Sequence, residues 1–195
     1  MHPIKNLSEL NEEHVGQAIT LFVDSFYYIF AKTFTKDKGV LHEFFKNSFD
    51  ISMIYVYLQD DRVIGFLGLG NAHKRPIVFQ KAICQRLFGK FKGAMIYRAL
   101  FEQSKPVVHG KDEGHIDHLA TDAQFRGQGI ATQLVQYLCD NFAYRSYTLE
   151  VLSKNQNAMR LYQKLGFKYM RGKMGLTTMI AGLGRPILMR LDVSR

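Results

Sequence analysis

Cysteine is scarce. Cys84 and Cys139 stand alone and far apart in a chain of 195 residues, without metal-ligand spacing. They are read as reduced and buried, which suits a cytoplasmic protein. His73, His109 and His115 do not fall at metal-ligand spacings with acids, so no metal is expected. No apolar run reaches the ~18 residues that a membrane span needs. The N-terminus carries Glu9, Glu12 and Glu13 and lacks an apolar core segment, so it does not read as a signal peptide. Internal repeats and low-complexity stretches are missing as well. With 47% hydrophobic and 22% charged residues, the chain reads as one soluble globular domain over residues 1–195.

Charge is present in excess of one sign. The net charge is +9, and the segment from Lys74 to Lys105 carries +7 of it, from eight basic residues against Glu102 alone. A basic segment attracts nucleic acid, an anionic membrane or an anionic cofactor, or it is a solvated helix face. Within it, Ile83, Leu87, Phe88 and Phe91, then Met95, Ala99 and Leu100, predict two helices broken near Gly93. The favoured role is packing on a sheet and shaping a substrate site, ahead of membrane contact. No nucleic-acid motif falls there, and nucleic acid is not expected as a partner.

The most informative stretch is His115 to Ala131. Ile116 to Thr121 alternates as a strand does, and Ile130, Leu134, Leu138 and Phe142 recur at helical spacing. Between them lies Gln124-Phe125-Arg126-Gly127-Gln128-Gly129. A glycine-rich turn from strand to helix gathers free backbone N–H groups at the positive end of the helix dipole, a site for phosphate. The glycines admit close approach, and Arg126 adds a charge-assisted contact. A nucleotide P-loop would need Lys-Ser/Thr after its last glycine, and a dinucleotide fingerprint would need glycine where Thr132 stands.

What fits is a third pattern. The run Gln124-x-x-Gly127-x-Gly129, preceded by Leu119-Ala120-Thr121 and followed by Ile130-Ala131, resembles the coenzyme A pyrophosphate loop of the GNAT superfamily of N-acetyltransferases. Downstream, Asn155-x-x-Ala158-x-x-Leu161-Tyr162-x-x-x-Gly166-Phe167 resembles that superfamily's second signature, in the expected order. The two motifs anchor the resemblance from Ile116 to Phe167. It implies an α/β (α+β) GNAT-type fold: a mixed, mostly antiparallel central sheet of about 6–7 strands flanked by helices, with a helical insertion around 75–105.

The remaining elements follow in order. Asn11 caps a helix whose first turn holds Glu12 and Glu13 and whose apolar face is Val15, Ile19, Phe22 and Phe26. Tyr27, Tyr28, Phe30 and Phe34 continue it; the resemblance makes this helix one wall of the acceptor site. A second helix spans about 39–49. Met53–Leu58 and Val63–Leu69 form a hairpin around Asp60-Asp61. Gly65, Gly68 and Gly70 would be costly in a central strand unless backbone or ligand comes close. Tyr147–Leu152 is a strand, Asn155–Leu165 a helix with Tyr162 on its inward stripe, and Gly166 a left-handed helix stop. Phe167–Met170 and Pro186–Val193 close the sheet, joined by a long loop containing Gly172, Gly175, Gly182 and Gly184, a length more often functional than structural.

The resemblance assigns acetyl-CoA as co-substrate, with no metal. Its diphosphate would lie on the amides of Gly127, Gln128, Gly129, Ile130 and Ala131, braced by Gln124 and Arg126. Leu119, Ala120 and Thr121 would carry the pantetheine arm in the manner of an added strand, and Asn155, Ala158 and Tyr162 would complete the cofactor site. A backbone amide near Leu119 could polarise the thioester if the strand bulges there. Tyr162 matches the family's general acid, and a phenol with a reference pKa of ~10 stays protonated at neutral pH. Asp117, His118 and Glu150 are the general-base candidates, or a water chain replaces them; Asp117 and His118 cannot both face the site unless a bulge intervenes.

The expectation is an N-acetyltransferase moving the acetyl group of acetyl-CoA to a primary amine, by direct attack in a ternary complex. The acceptor is a small-molecule amine or a peptide, and the basic insertion disfavours a polycationic one. A homodimer is possible on general grounds. The competing reading is a catalytically inactive acyl-CoA-binding, sensing or protein-interaction module on the same fold.

Overall fold

The computed structural model describes residues 3–101, 104–108, 110–172, 179 and 182–193. Among the described residues seven strands form one sheet: β1 (Ile4–Asn6), β2 (Ile54–Gln59), β3 (Arg62–Gly70), β4 (Glu113–Thr121), β5 (Ser146–Leu152), β6 (Lys168–Gly172) and β7 (Pro186–Asp192), in the order β1-β2-β3-β4-β5-β7-β6. Every neighbouring pair is antiparallel except β4 and β5. This is the mixed, mostly antiparallel sheet expected.

Helices α1 (Glu12–Thr33), α2 (Lys38–Lys46), α3 (Lys81–Phe88) and α4 (Lys90–Phe101) contribute to a core on one face of the sheet. Helices α5 (Ile130–Asn141) and α6 (Gln156–Lys164) cover the other. The first core is aromatic at its centre: Phe22 lies within 5.5 Å, ring centre to ring centre, of Phe26, Phe30, Phe45, Phe49 and Phe66. The early aromatics of α1 therefore serve packing, with Tyr28 the exception at 46% exposure.

Local signals in the sequence act where they stand. Asn11 caps α1, its side chain accepting from the His14 amide at 3.1 Å. Asp37 does the same for α2 at Val40, and Asn155 for α6 at Ala158. Gly166 follows α6 with φ of 90°, a conformation an L side chain resists.

The insertion departs from expectation in one respect. Its two helices part at Gly89, with φ of 85°, and not at Gly93. Gly93 lies inside α4, where a Cβ would sit 2.2 Å from the Cys84 carbonyl oxygen. It is glycine so that α4 can lie against α3, and a packing glycine inside an apolar pattern imitates a break. Gly175, within the long loop, falls outside the described residues.

The strand glycines are explained by close neighbours. A Cβ on Gly65 would meet Ile130 Cγ2 at 2.7 Å, and one on Gly68 would meet Pro76 Cγ at 2.8 Å. At Gly70 the neighbours are Asp117 Oδ2 and the Lys74 carbonyl, both at 3.4 Å. The first glycine lets α5 onto the sheet. The other two let the segment Lys74–Pro76 lie across β3 beside β4.

Candidate active site

Beyond Ile116↔Leu149, β4 and β5 have no further ladder partners in common. Leu119, Ala120 and Thr121 remain paired to β3, through Leu67, Phe66 and Gly65. Glu150, Val151 and Leu152 remain paired to β7. The two central parallel strands thus part half-way along, and the edges that face the opening have no strand between them.

A bulge stands where the strands part. Gly68 pairs with His118 and Leu69 with Ile116, which leaves Asp117 as an extra residue in β4. Adjacent residues of a regular strand face opposite sides. Here the bulge turns Asp117 and His118 to the same face, the condition named from the sequence. It falls two residues before Leu119.

Asp117 is held by Arg75, whose Nε donates to Oδ2 at 3.0 Å while a terminal guanidinium nitrogen bonds Oδ1. The Asp117 side chain is 2% exposed and that of Arg75 16%. Burial pulls the Arg75 pKa down to about 10, with the Glu150 carboxylate acting in the opposite direction. His115, on the same face, accepts or donates at Nδ1 to Thr148 Oγ1 over 2.8 Å, and its Nε2 lies 3.9 Å from Asp117.

His118 is enclosed by the edges of Phe22 and Phe26, at ring separations of 5.0 and 5.2 Å. Burial first, and the Arg75 cation second, push its pKa down to about 3. Among the described residues its Nδ1 is buried without a hydrogen-bond partner. The imidazole is therefore neutral at any physiological pH. Glu150 differs: it is exposed, two residues after Thr148 and so on the same face.

The loop at the far end of β4 is anchored from β3. Arg62 bonds Asp122 Oδ2 at 2.7 Å and lies 5.4 Å from the Phe125 ring centre; Asp122 Oδ1 accepts from the Gln124 amide at 2.9 Å. Gln124, Arg126, Gly127, Gln128 and Gly129 are exposed, Ala131 is half-buried and Ile130 is buried against Gly65. Gly127 and Gly129 have φ of 79° and 81°, and nothing lies within 4 Å of a Cβ placed on Gly127. The chain therefore enters α5 through two left-handed residues. The first amides of the helix are left without intrahelical carbonyl partners. An open groove of about 890 Å³ adjoins this loop at Arg126 and runs between α1 and the β2–β3 turn. Its walls include Glu13, Asp24, Asp60, Asp61 and Asp122, so an anion is held better on the amides than in the groove.

Tyr162, on α6, is 8% exposed, with its ring edge-on to Phe167 at 5.8 Å. Burial raises its pKa to about 12, and Tyr28 on α1 adds to the shift. The proton therefore stays on the phenol throughout the neutral range. Asn155 is exposed and spends its side chain on the α6 cap, and Ala158 is half-buried on the inward stripe.

Two residues were not singled out from the sequence: Arg75 and Tyr28. Tyr28 was one of a crowd of aromatics. Arg75 carried one signal, its place just before Pro76 and a few residues after Gly68 and Gly70. Among the described residues no group of three or more His, Cys, Asp or Glu is arranged to hold a metal, and no helix is long and apolar enough to cross a membrane.

A family model described as "Acetyltransferase (GNAT) family" matches residues 17–167. The glucosamine 6-phosphate N-acetyltransferase of Trypanosoma brucei brucei is 25% identical over 100 residues, 51% of this chain and 66% of that one. The chain thus spans just under two thirds of the length of the curated relative it matches. An N-acetyltransferase from Staphylococcus aureus Mu50 superposes with a TM-score of 0.60 at 18% identity, covering 96% of this chain and 99% of the other. A chain of the NatC complex bound to Gag peptide and CoA superposes with a TM-score of 0.59 at 18% identity, covering 100% of both.

Proposed function

The chain belongs to the acetyltransferase (GNAT) family, and on that footing we propose that it transfers the acetyl group of acetyl-CoA directly to a primary amine of a small molecule, with both held in one complex. The observation that carries this reading is the parting of β4 from β5 beyond Ile116 and Leu149, with left-handed Gly127 and Gly129 at one end and inward-facing Tyr162 across it.

The residues present fit the cofactor the family uses. The first amides of α5 lack intrahelical partners, nothing among the described residues lies within 4 Å of a Cβ at Gly127, and Gln124 and Arg126 are exposed beside them to brace a diphosphate. The unpaired edge formed by Leu119, Ala120 and Thr121 suits an extended amide-bearing arm. Asn155 and Ala158, at the start of α6, are assigned to complete the cofactor site. When bound, the cofactor supplies an acetyl group on an electrophilic thioester carbonyl.

The chain's own groups then divide the work. A β4 amide released by the bulge at Asp117 is available to donate to the acetyl oxygen. Tyr162 holds a proton on Oη for the departing sulfur. The amine must lose its proton, and the three acids and bases nearby are not equivalent. His118, with a pKa of about 3, is too weak and too enclosed. Asp117 is committed to Arg75. Glu150, whose carboxylate also acts on Arg75, is exposed on the same face, and through that exposure it receives the amine proton directly or through one water. Asp117 and His118 then act as packing and positioning groups beneath the site.

The basic segment favours acceptors of neutral or anionic body over polycations. The test is acetyl-CoA turnover by the purified chain against glucosamine 6-phosphate, a free amino acid, a short peptide and spermidine, read as release of the coenzyme thiol. Amine-dependent release, weakest with spermidine, supports the proposal. Absence of both transfer and coenzyme binding overturns it.

A further inference from the structure

The helical insertion carries an apolar stripe that the fold does not use. Phe91, in the first turn of α4, is 85% exposed and Met95, one turn on, 74%. They are four residues apart and so lie one above the other on α4, with Ala99 next in line. The opposite side of the same helix is buried at Gly93 and Leu100, against α3 and the α1–α2 core. At 100° per residue, Lys92 falls on one flank of the stripe and Arg98 on the other, and both are exposed. Lys81 and Lys90 stand exposed nearby, and Phe101, 45% exposed, lies 5.1 Å beneath the Lys105 ammonium. Arg86 is bonded to Glu43 and belongs to the helix packing.

We propose that the outward stripe of α4 docks onto an anionic lipid bilayer, Phe91 and Met95 entering the headgroup–acyl boundary while Lys92 and Arg98 engage lipid phosphates. An apolar centre with a cationic rim is the complement of such a surface. Lysine stems can lie along the boundary and leave their ammonium groups among the phosphates. A second copy of the chain fits less well. A two-fold contact places the same patch on both sides, which brings the cationic rim of one copy against the cationic rim of the other. Nucleic acid would satisfy the cations but offers no apolar depth to Met95 and Ala99. The inference stands apart from the acetyl-transfer reading, since it uses none of that site's residues.

The chain has no tryptophan, so Phe91→Trp introduces a single tryptophan at the stripe, which is excited selectively at wavelengths where the tyrosines do not absorb. The full chain carrying it is titrated with phosphatidylglycerol-rich vesicles and with pure phosphatidylcholine vesicles. The expected result is a blue shift and co-sedimentation with the anionic vesicles, about tenfold stronger than with the neutral ones and weakened by salt. A control Tyr169→Trp chain, labelled on the outer strand β6, should bind equally without the shift. Phe91→Ser/Met95→Ser and, separately, Lys92→Glu/Arg98→Glu should each lower partitioning about tenfold. The far-ultraviolet spectrum and melting temperature should stay unchanged, because these side chains are exposed. Absence of partitioning, or partitioning untouched by both double variants, overturns the proposal. So does a stripe-dependent dimer in sedimentation, or retention on RNA that ignores the apolar pair.

Discussion

Arg75 and Asp117, 42 residues apart in sequence, meet in a buried ion pair in which Arg75 Nε donates to Asp117 Oδ2 at 3.0 Å. Asp117 is the bulged residue of β4, and Pro76, next to Arg75, rests on Gly68 of the paired strand. The pair therefore fastens the start of the insertion to the point where the sheet opens. Removing one partner leaves a buried charge uncompensated, at a cost of about 3–5 kcal/mol. Arg75→Ala should lower urea-unfolding stability by that order, whereas Arg75→Met/Asp117→Leu should recover most of it. Recovery of stability without recovery of turnover would show that the pair positions the bulge as well as holding it.

Acid should weaken the fold through His118. Its folded pKa is about 3 against 6.5 for the free side chain. As pH falls through 6.5 the unfolded chain takes up this proton and the folded chain does not. Stability contributed at neutral pH is then lost by about 1.4 kcal/mol per pH unit, down towards pH 3. His118→Met, which keeps the volume between Phe22 and Phe26, should flatten this limb of a stability–pH curve. An unaltered slope in the variant would place the acid sensitivity elsewhere.

Much of this was legible because it is local. Asn11 and Asn155 cap the helices that follow them, Gly166 stops α6, and Tyr162 faces inward by simple helical counting. The strand glycines posed the right question, and the chain answered it with Ile130, Pro76 and Asp117. What stayed hidden depends on distant partners. No period in the sequence announces that Arg75 reaches Asp117, or that Gly93 is a contact surface for Cys84 and not a helix break. The bulge could be named as a condition, but its place at Asp117 is set by the register between β3 and β4.

The left-handed glycines at the head of α5 separate cofactor affinity from stability. Gly127→Ala meets no neighbour, so its cost is conformational, about 1–2 kcal/mol for an L residue held at φ of 79°. The loop can escape that cost by rearranging, and coenzyme A affinity should then fall roughly tenfold. Gly166→Ala has φ of 90° and Leu191 Cδ1 3.2 Å from the new Cβ. It should lower the melting temperature while leaving coenzyme affinity within twofold or so. Calorimetric titration of both variants distinguishes the two effects, and equal affinity losses would count against the loop as the diphosphate site.

Proton traffic is the sharpest point of contrast between Tyr162 and Glu150. With a pKa of about 12, Tyr162 remains an acid across the working range, so it contributes no limb to the pH profile near neutrality. Tyr162→Phe keeps the ring against Phe167 and removes only the hydroxyl. Turnover should fall about a hundredfold with acetyl-CoA affinity hardly changed. Glu150→Gln should lower kcat/KM for the amine by a similar factor, and least for weakly basic amines that are already unprotonated. A Glu150→Gln chain as active as the parent on a strongly basic amine would return the base to a water chain. A fully active Tyr162→Phe would remove the phenol from the proton path and leave the departing sulfur to solvent.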